Sequence, residues 1–184
     1  MAAGATLYRF DIQLADSDRG VYESLELRVA RHPSENVPFL LVRVLAYCLE
    51  WADGICFSKG GVSSVDEPAV SIVDLTGQRQ VWIEVGAPSA QRLHRAAKAT
   101  ARVAVYTDRR LDVLRTALGG EKIHRGGEIL VTAFPKAFLA DLEAGLARKV
   151  QWDVSVSDGH LYVTTGGAAF DLPLEPQPLV APQQ

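Results

Sequence analysis

Cysteine is scarce: Cys48 and Cys56 are the two in 184 residues, and they have no CxxC spacing. That excludes a disulfide framework and the paired-thiol zinc or redox signatures. Both thiols are expected to be free and buried in apolar surroundings, in a reducing compartment. Long hydrophobic runs are missing too. None approaches the roughly 18 residues a membrane-spanning helix needs. The stretch MAAGATLYRFD at the start lacks the basic region and long apolar region of a secretory signal. The expected location is therefore cytoplasmic, with no membrane partner. A basic excess is also absent, with a net charge of −3 and a sequence pI near 5.8. Nucleic-acid affinity comes largely from neutralised phosphates, so only a local cluster of cations could supply it here.

Several catalytic signatures are missing. There is no GxxxxGK[ST] phosphate loop, and Gly119-Gly120 and Gly126-Gly127 do not form GxGxxG. Neither a GxSxG nucleophile elbow nor an HExxH zinc motif occurs. The four histidines, His32, His94, His124 and His160, are scattered without ligand spacing. Nucleotide-loop kinases, dinucleotide-dependent dehydrogenases, serine hydrolases and zinc enzymes of these types drop out.

What remains is an ordinary globular composition, 48% hydrophobic and 22% charged, long enough to bury a core in one domain. Alternation predicts strands over 5–15 and 21–30, joined by a polar turn at DSDRG. Val37, Leu41, Val44, Leu45 and Cys48 then fall on one face of a buried helix. Pro38 is tolerated only in a first turn, so the helix should begin between Ser34 and Val37 and end near Asp53-Gly54. A short strand at 55–58 and a glycine- and serine-rich loop follow. Later elements are a strand over 102–107, a helix over 109–118, a strand over 128–134, a helix over 135–146, and strands over 150–156, 161–165 and 169–174. The prolines from Pro173 onward predict a poorly ordered tail over 173–184. The fold class is α+β, a mixed β-sheet with flanking helices, as a single domain over 1–172.

The most informative stretch is a hairpin feeding a helix. Strands over 68–75 and 79–85 flank a turn at Thr76-Gly77-Gln78. Opposed residues of an antiparallel pair have Cβ atoms about 5 Å apart. Folding about Leu75 and Thr76 brings Glu67 opposite Glu84, with Asp66 beside them. Glu84 interrupts the apolar run Val81-Trp82-Ile83-Val85, where a charge is costly unless exposed or paired. Gly86 and Pro88 follow at once, a strand-to-helix junction of the kind where sites in α/β folds are built. Asp74, at the turn, lies at the far end from this cluster. Solvation or a local ion pair is the bland alternative for all three carboxylates. Beyond the junction, Arg92, Arg95, Lys98 and Arg102 recur at three- and four-residue intervals along one side of a helix, opposite Leu93, Ala96, Ala97 and Thr100. Such a stripe either tracks phosphates or is a solvated face.

The order helix, strand, hairpin, helix, strand between residues 34 and 107 (αβββαβ) resembles the core of PD-(D/E)XK nucleases. Across nearly the whole chain the sequence is similar to the YaeQ family, a variation on that nuclease fold. The match is carried by Ala5-Thr6-Leu7-Tyr8, Ala15-Asp16-Ser17-Asp18-Arg19, Ala30-Arg31-His32-Pro33-Ser34-Glu35, Arg43-Val44-Leu45-Ala46 and Phe57-Ser58-Lys59-Gly60. Asp66-Glu67-Pro68, Trp82-Ile83-Glu84-Val85-Gly86 and Pro88 complete it. The resemblance implies a nuclease-like core with extra strands at both termini. It implies Glu67, or Asp66, at the place of the PD aspartate and Glu84 as the acidic member of the triplet. The triplet lysine is replaced by Gly86, so Arg92 or Arg95 would supply the cation. An arginine can stabilise phosphate charge but rarely deprotonates at neutral pH. Glu35 matches the acidic residue some nucleases carry on the first core helix, though a carboxylate in a helix's first turn is favourable by itself. The implied activity is Mg²⁺- or Mn²⁺-dependent phosphodiester hydrolysis. Asp66, Glu67 and Glu84 would hold the metal, and Arg92, Arg95, Lys98 and Arg102 would bind nucleic acid. The alternative is a non-catalytic module on a nuclease scaffold that binds nucleic acid or a protein.

Overall fold

The computed structural model describes residues 4–59 and 66–180. The glycine- and serine-rich loop lies almost wholly outside the described residues. Two mixed sheets and four helices are present among them, where the sequence suggested one sheet. The chain divides into two compact units, one of residues 1–41 and 136–175, the other of 42–135 and 176–184.

The first unit is built on β1 (Thr6–Asp16), β2 (Val21–Arg31), β8 (Lys149–Ser157), β9 (His160–Thr165) and β10 (Ala168–Pro173), with α4 (Lys136–Ala144) packed on β10. Its strand order is β10-β9-β8-β1-β2. β1 and β8 run parallel, with Arg9 beside Lys149, while the other pairings are antiparallel. Alternation buries Phe10, Ile12 and Leu14 with Leu25, Leu27, Val29, Trp152 and Val154, and leaves the opposite face wet. Phe10 and Trp152 meet edge to face at 5.0 Å. Two turns lock together: the Asp18 carboxylate accepts the backbone N–H groups of Asp158 and Gly159 at 2.8 and 2.9 Å.

The second unit contains the remaining sheet, β11-β7-β6-β5-β4-β3. It uses β3 (Ile55–Phe57), β4 (Val70–Val73), β5 (Arg79–Val85), β6 (Arg102–Thr107), β7 (Leu130–Ala133) and β11 (Gln177–Pro178), with helices α2 (Ala90–Ala99) and α3 (Leu111–Ala117). β3, β4 and β5 form an antiparallel meander, and β5, β6 and β7 run parallel. Ala90, Leu93, Ala96 and Ala97 of α2 bury against Val103, Val105, Leu114 and Val131.

Helix α1 (Val37–Leu49) begins as expected, because Asn36 caps it: its Oδ1 accepts the Phe39 N–H at 2.8 Å, and Pro38 sits harmlessly in the first turn. It stops four residues early. Glu50, next after the helix, is buried and gripped by Arg102 and, at 2.8 Å, by the Tyr106 hydroxyl. Gly54 then turns the chain at φ +85°, where an added Cβ would stand 2.0 Å from the Val73 carbonyl oxygen.

Two further expectations are corrected. Cys56 is exposed, not buried, because it is the outward residue of the three-residue β3; Cys48 is buried as expected. Within the described residues the proline-rich end is held in place by the second sheet and Arg115. β11 pairs with β7, its Pro178 at an edge that needs no further donor. Leu179 is 1% exposed in the core and donates its N–H to Ile129 O at 2.8 Å. Arg115 clamps the segment through Pro178 O at 2.6 Å and Leu179 O at 3.0 Å.

Candidate functional site: the β5–α2 junction

Glu84 is the centre of the junction. It lies one residue from the end of β5 and is 4% exposed. Trp82 stands two residues earlier on the same strand face, and its indole Nε1 donates to Glu84 Oε1 at 2.5 Å. After Glu84 the chain turns through Gly86, at φ +91°, whose N–H donates to Tyr106 O at 2.8 Å. Ser89 then caps α2, accepting the Arg92 N–H at 3.2 Å. This cap places Arg92 within the first turn, aimed back at β5. Its Nε donates to Glu84 Oε1 at 2.5 Å, and its Nη2 donates to the Glu67 carbonyl at 2.6 Å. The Arg92 and Arg79 guanidinium carbons lie 5.5 and 5.0 Å from the Trp82 ring centroid.

Burial pushes the Glu84 carboxyl above its ordinary range; the Trp82 hydrogen bond and the Arg92 charge offset this in part. Both donors use Oε1. Oε2 makes no hydrogen bond within the described residues.

The carboxylates are not opposed as expected. The turn pairs Val73 with Arg79, one residue off the expected register, and a bulge between Ile72 and Val73 shifts it by one more, so Val70 faces Ile83 and the same register continued would set Glu84 across from Ala69, not Glu67. Asp74 shapes the turn responsible: its Oδ1 accepts Thr76 N, Gln78 N and Thr76 Oγ1, and its Oδ2 accepts Gln80 Nε2. Glu67 enters the junction through its backbone carbonyl, while its carboxylate takes a 2.8 Å bond from Ser58 Oγ. Asp66 is exposed at the edge of the described residues. Among the described residues no group of three His, Cys, Asp or Glu side chains is placed to hold a metal ion.

Glu35 belongs to the first unit. It precedes α1 instead of sitting in its first turn, is 5% exposed, and accepts the His32 N–H at 3.1 Å.

The basic stripe divides. Arg95 and Lys98 are exposed on α2, but Arg92 turns inward to Glu84. Arg102 is not on the helix at all: it opens β6 and is committed to Glu50. Trp82 and Ser58 were missed as polar partners. The i, i+2 spacing of Trp82 and Glu84 on one strand was the available signal for the first.

A family model described as YaeQ protein matches residues 1–174. The chain belongs to the YaeQ family. Its relatives include the uncharacterized YaeQ proteins of Escherichia coli K12, 35% identical over 107 residues, and Salmonella typhi, 33% identical over 106. Each alignment covers 58% of this chain, and it spans 59% and 58% of those relatives' lengths. Two solved structures are similar over almost the whole chain. The YaeQ protein of Pseudomonas syringae superposes with a TM-score of 0.83 at 33% identity, covering 97% of both chains. That of Xanthomonas axonopodis pv. citri gives 0.80 at 29% identity, covering 97% of this chain and 99% of the other.

Proposed function

We propose that the protein is a cytoplasmic nucleic-acid-binding module on a nuclease-like scaffold, one that engages phosphates beside the β5–α2 junction without hydrolysing them. The observation that carries this reading is the 2.5 Å pairing of Arg92 with Glu84. A metal-dependent nuclease needs its acidic residues open to a divalent cation. Here the central carboxylate is neutralised from within. A bound guanidinium and a divalent ion on the same buried carboxylate repel one another, and no third ligand stands nearby among the described residues. The arrangement as it stands does not fit Mg²⁺ or Mn²⁺. The element order αβββαβ, with β5 and β6 parallel, supports the scaffold. Exposed Arg95 and Lys98 supply the cations for phosphate contact.

The test is fluorescence anisotropy with short duplex and single-stranded oligonucleotides over a salt series, for wild type and for Arg95→Glu/Lys98→Glu. Two phosphate contacts predict a log–log salt slope of about −2, largely lost in the double variant. No salt-sensitive binding to either oligonucleotide contradicts the reading.

Metal-dependent phosphodiester hydrolysis, with Asp66, Glu67 and Glu84 as ligands, is the second reading. It is favoured by the Oε2 atom of Glu84, which makes no hydrogen bond within the described residues. Cleavage that requires Mg²⁺ or Mn²⁺ and disappears in Glu84→Gln would establish it over the first.

A further inference from the structure

β2 forms one edge of the first unit's sheet. Edges of this kind are normally blunted by proline, a bulge, short length or charged side chains, because a row of unpaired N–H and C=O groups templates another strand. β2 has no proline and no bulge, and its charges are of both signs, Glu23 and Glu26 in one half and Arg28 and Arg31 in the other. It is 11 residues long, VYESLELRVAR, and pairs with β1 in one unbroken register from Thr6–Arg31 to Asp16–Val21.

Which backbone groups face the open edge follows from β1. Arg9 N–H donates to Arg148 O at 2.8 Å, so odd-numbered residues of β1 face β8 and even-numbered ones face β2. Their partners are Leu27 for Phe10 and Leu25 for Ile12. Odd-numbered residues of β2 are thereby committed to β1, and Ser24, Glu26 and Arg28 direct their N–H and C=O groups outward.

We propose that this edge is self-complementary, and that two copies of the chain pair through it as antiparallel strands centred on Leu27. Opposed residues of antiparallel strands share a sheet face, so only shifts of two residues keep core side against core side. With Leu27 opposite the second copy's Leu27, Glu26 faces the second copy's Arg28 and Leu25 faces its Val29. Glu23 faces its Arg31. Two-fold symmetry forms each unlike pair twice. A shift of two residues either way sets Glu26 against Glu26 or Arg28 against Arg28, so charge selects the one register. Arg28 is exposed and makes no ion pair within the described residues. Glu26 keeps 69% of its side chain exposed while touching Arg9 at 3.2 Å. The pattern fits a second copy of this chain because each half of the strand carries the complement of the other.

The experiment is sedimentation velocity over a concentration series for wild type, Arg28→Glu and Glu26→Arg/Arg28→Glu. Wild type shows a concentration-dependent dimer that weakens with salt. Arg28→Glu raises the dimer dissociation constant about tenfold or more, since each substitution acts twice. The double variant restores the opposite-charge pairs and the dimer. Ser24→Pro deletes an outward N–H and no backbone hydrogen bond to β1, losing there only the exposed 2.8 Å bond from Ser24 Oγ to Gln13 Oε1; it also loses the dimer while the fold, followed by circular dichroism, persists. A wild-type monomer at every concentration overturns the proposal. So does a dimer indifferent to Arg28→Glu or not recovered by the double variant.

Discussion

Arg92, in the first turn of α2, reaches back to Glu84, near the end of β5, and closes to 2.5 Å on the oxygen that also accepts the Trp82 indole. Helix and strand are thus joined by a buried carboxylate shared between two donors. The same guanidinium holds the Glu67 carbonyl, so the entry to the hairpin and its exit are fastened by one side chain.

Removing one side of this pair should cost more than neutralising the other. Arg92→Ala leaves a buried carboxylate without its cation and is expected to lower stability by about 3 kcal/mol. Glu84→Gln keeps an oxygen acceptor for Trp82 and Arg92 and ends the cost of burying charge, so a change of about 1 kcal/mol or less is expected. Urea denaturation of both variants checks the asymmetry; equal losses would contradict it.

The same group predicts a pH dependence. Burial raises the folded-state pKa of Glu84 above its ordinary 4.5. The folded protein therefore holds this proton more tightly than the unfolded chain, and stability falls as pH rises through that interval. The cost is fully present above the raised value and is relieved as pH falls to 4.5 and below. Any advantage of Glu84→Gln over wild type should be largest near neutral pH and shrink on acidification. A difference constant with pH, measured by urea midpoints, would contradict this.

How much of this was legible in the chain varies with the range of the interaction. Local signals served well: Asn36 and Pro38 marked the start of α1, and Leu93, Ala96, Ala97 and Thr100 gave the buried side of α2. Register was not legible, because the bulge at Ile72 and Val73 depends on how the Asp74 side chain folds the turn over itself. Nor was the division into two sheets, which turns on Arg9 and Lys149 meeting across most of the chain in parallel strands. Arg102 read as a helix cation because its spacing from Lys98 continues the stripe. The helix ends instead at Ala99, where Thr100 caps it by donating its N–H to Ala96 O.

Gly54 tests the backbone argument. Its positive φ and the approach of Val73 O leave no room for a Cβ. Gly54→Ala is expected to cost about 3 kcal/mol or to prevent folding, against well under 1 for an alanine at Gly127, where an added Cβ meets nothing within 4 Å. Thermal melts of the two variants give the comparison.

The C-terminal segment should behave as core. Leu179→Ala removes a fully buried side chain and is expected to cost about 3 kcal/mol. Truncation after Leu174 should lower the melting temperature further by opening the β7 edge. An unchanged melting temperature in the truncated chain would show that the segment contributes nothing to the fold.

On the proposed reading, the β5–α2 junction binds nucleic acid and keeps Glu84 for Arg92, not for a metal. The most direct test incubates the protein with a doubly labelled oligonucleotide and Mg²⁺ or Mn²⁺, and follows anisotropy and strand length in the same sample for wild type and Glu84→Gln. Salt-sensitive binding by both proteins and uncut strands throughout are expected on this reading. Metal-dependent cleavage by wild type, lost in Glu84→Gln, would contradict it.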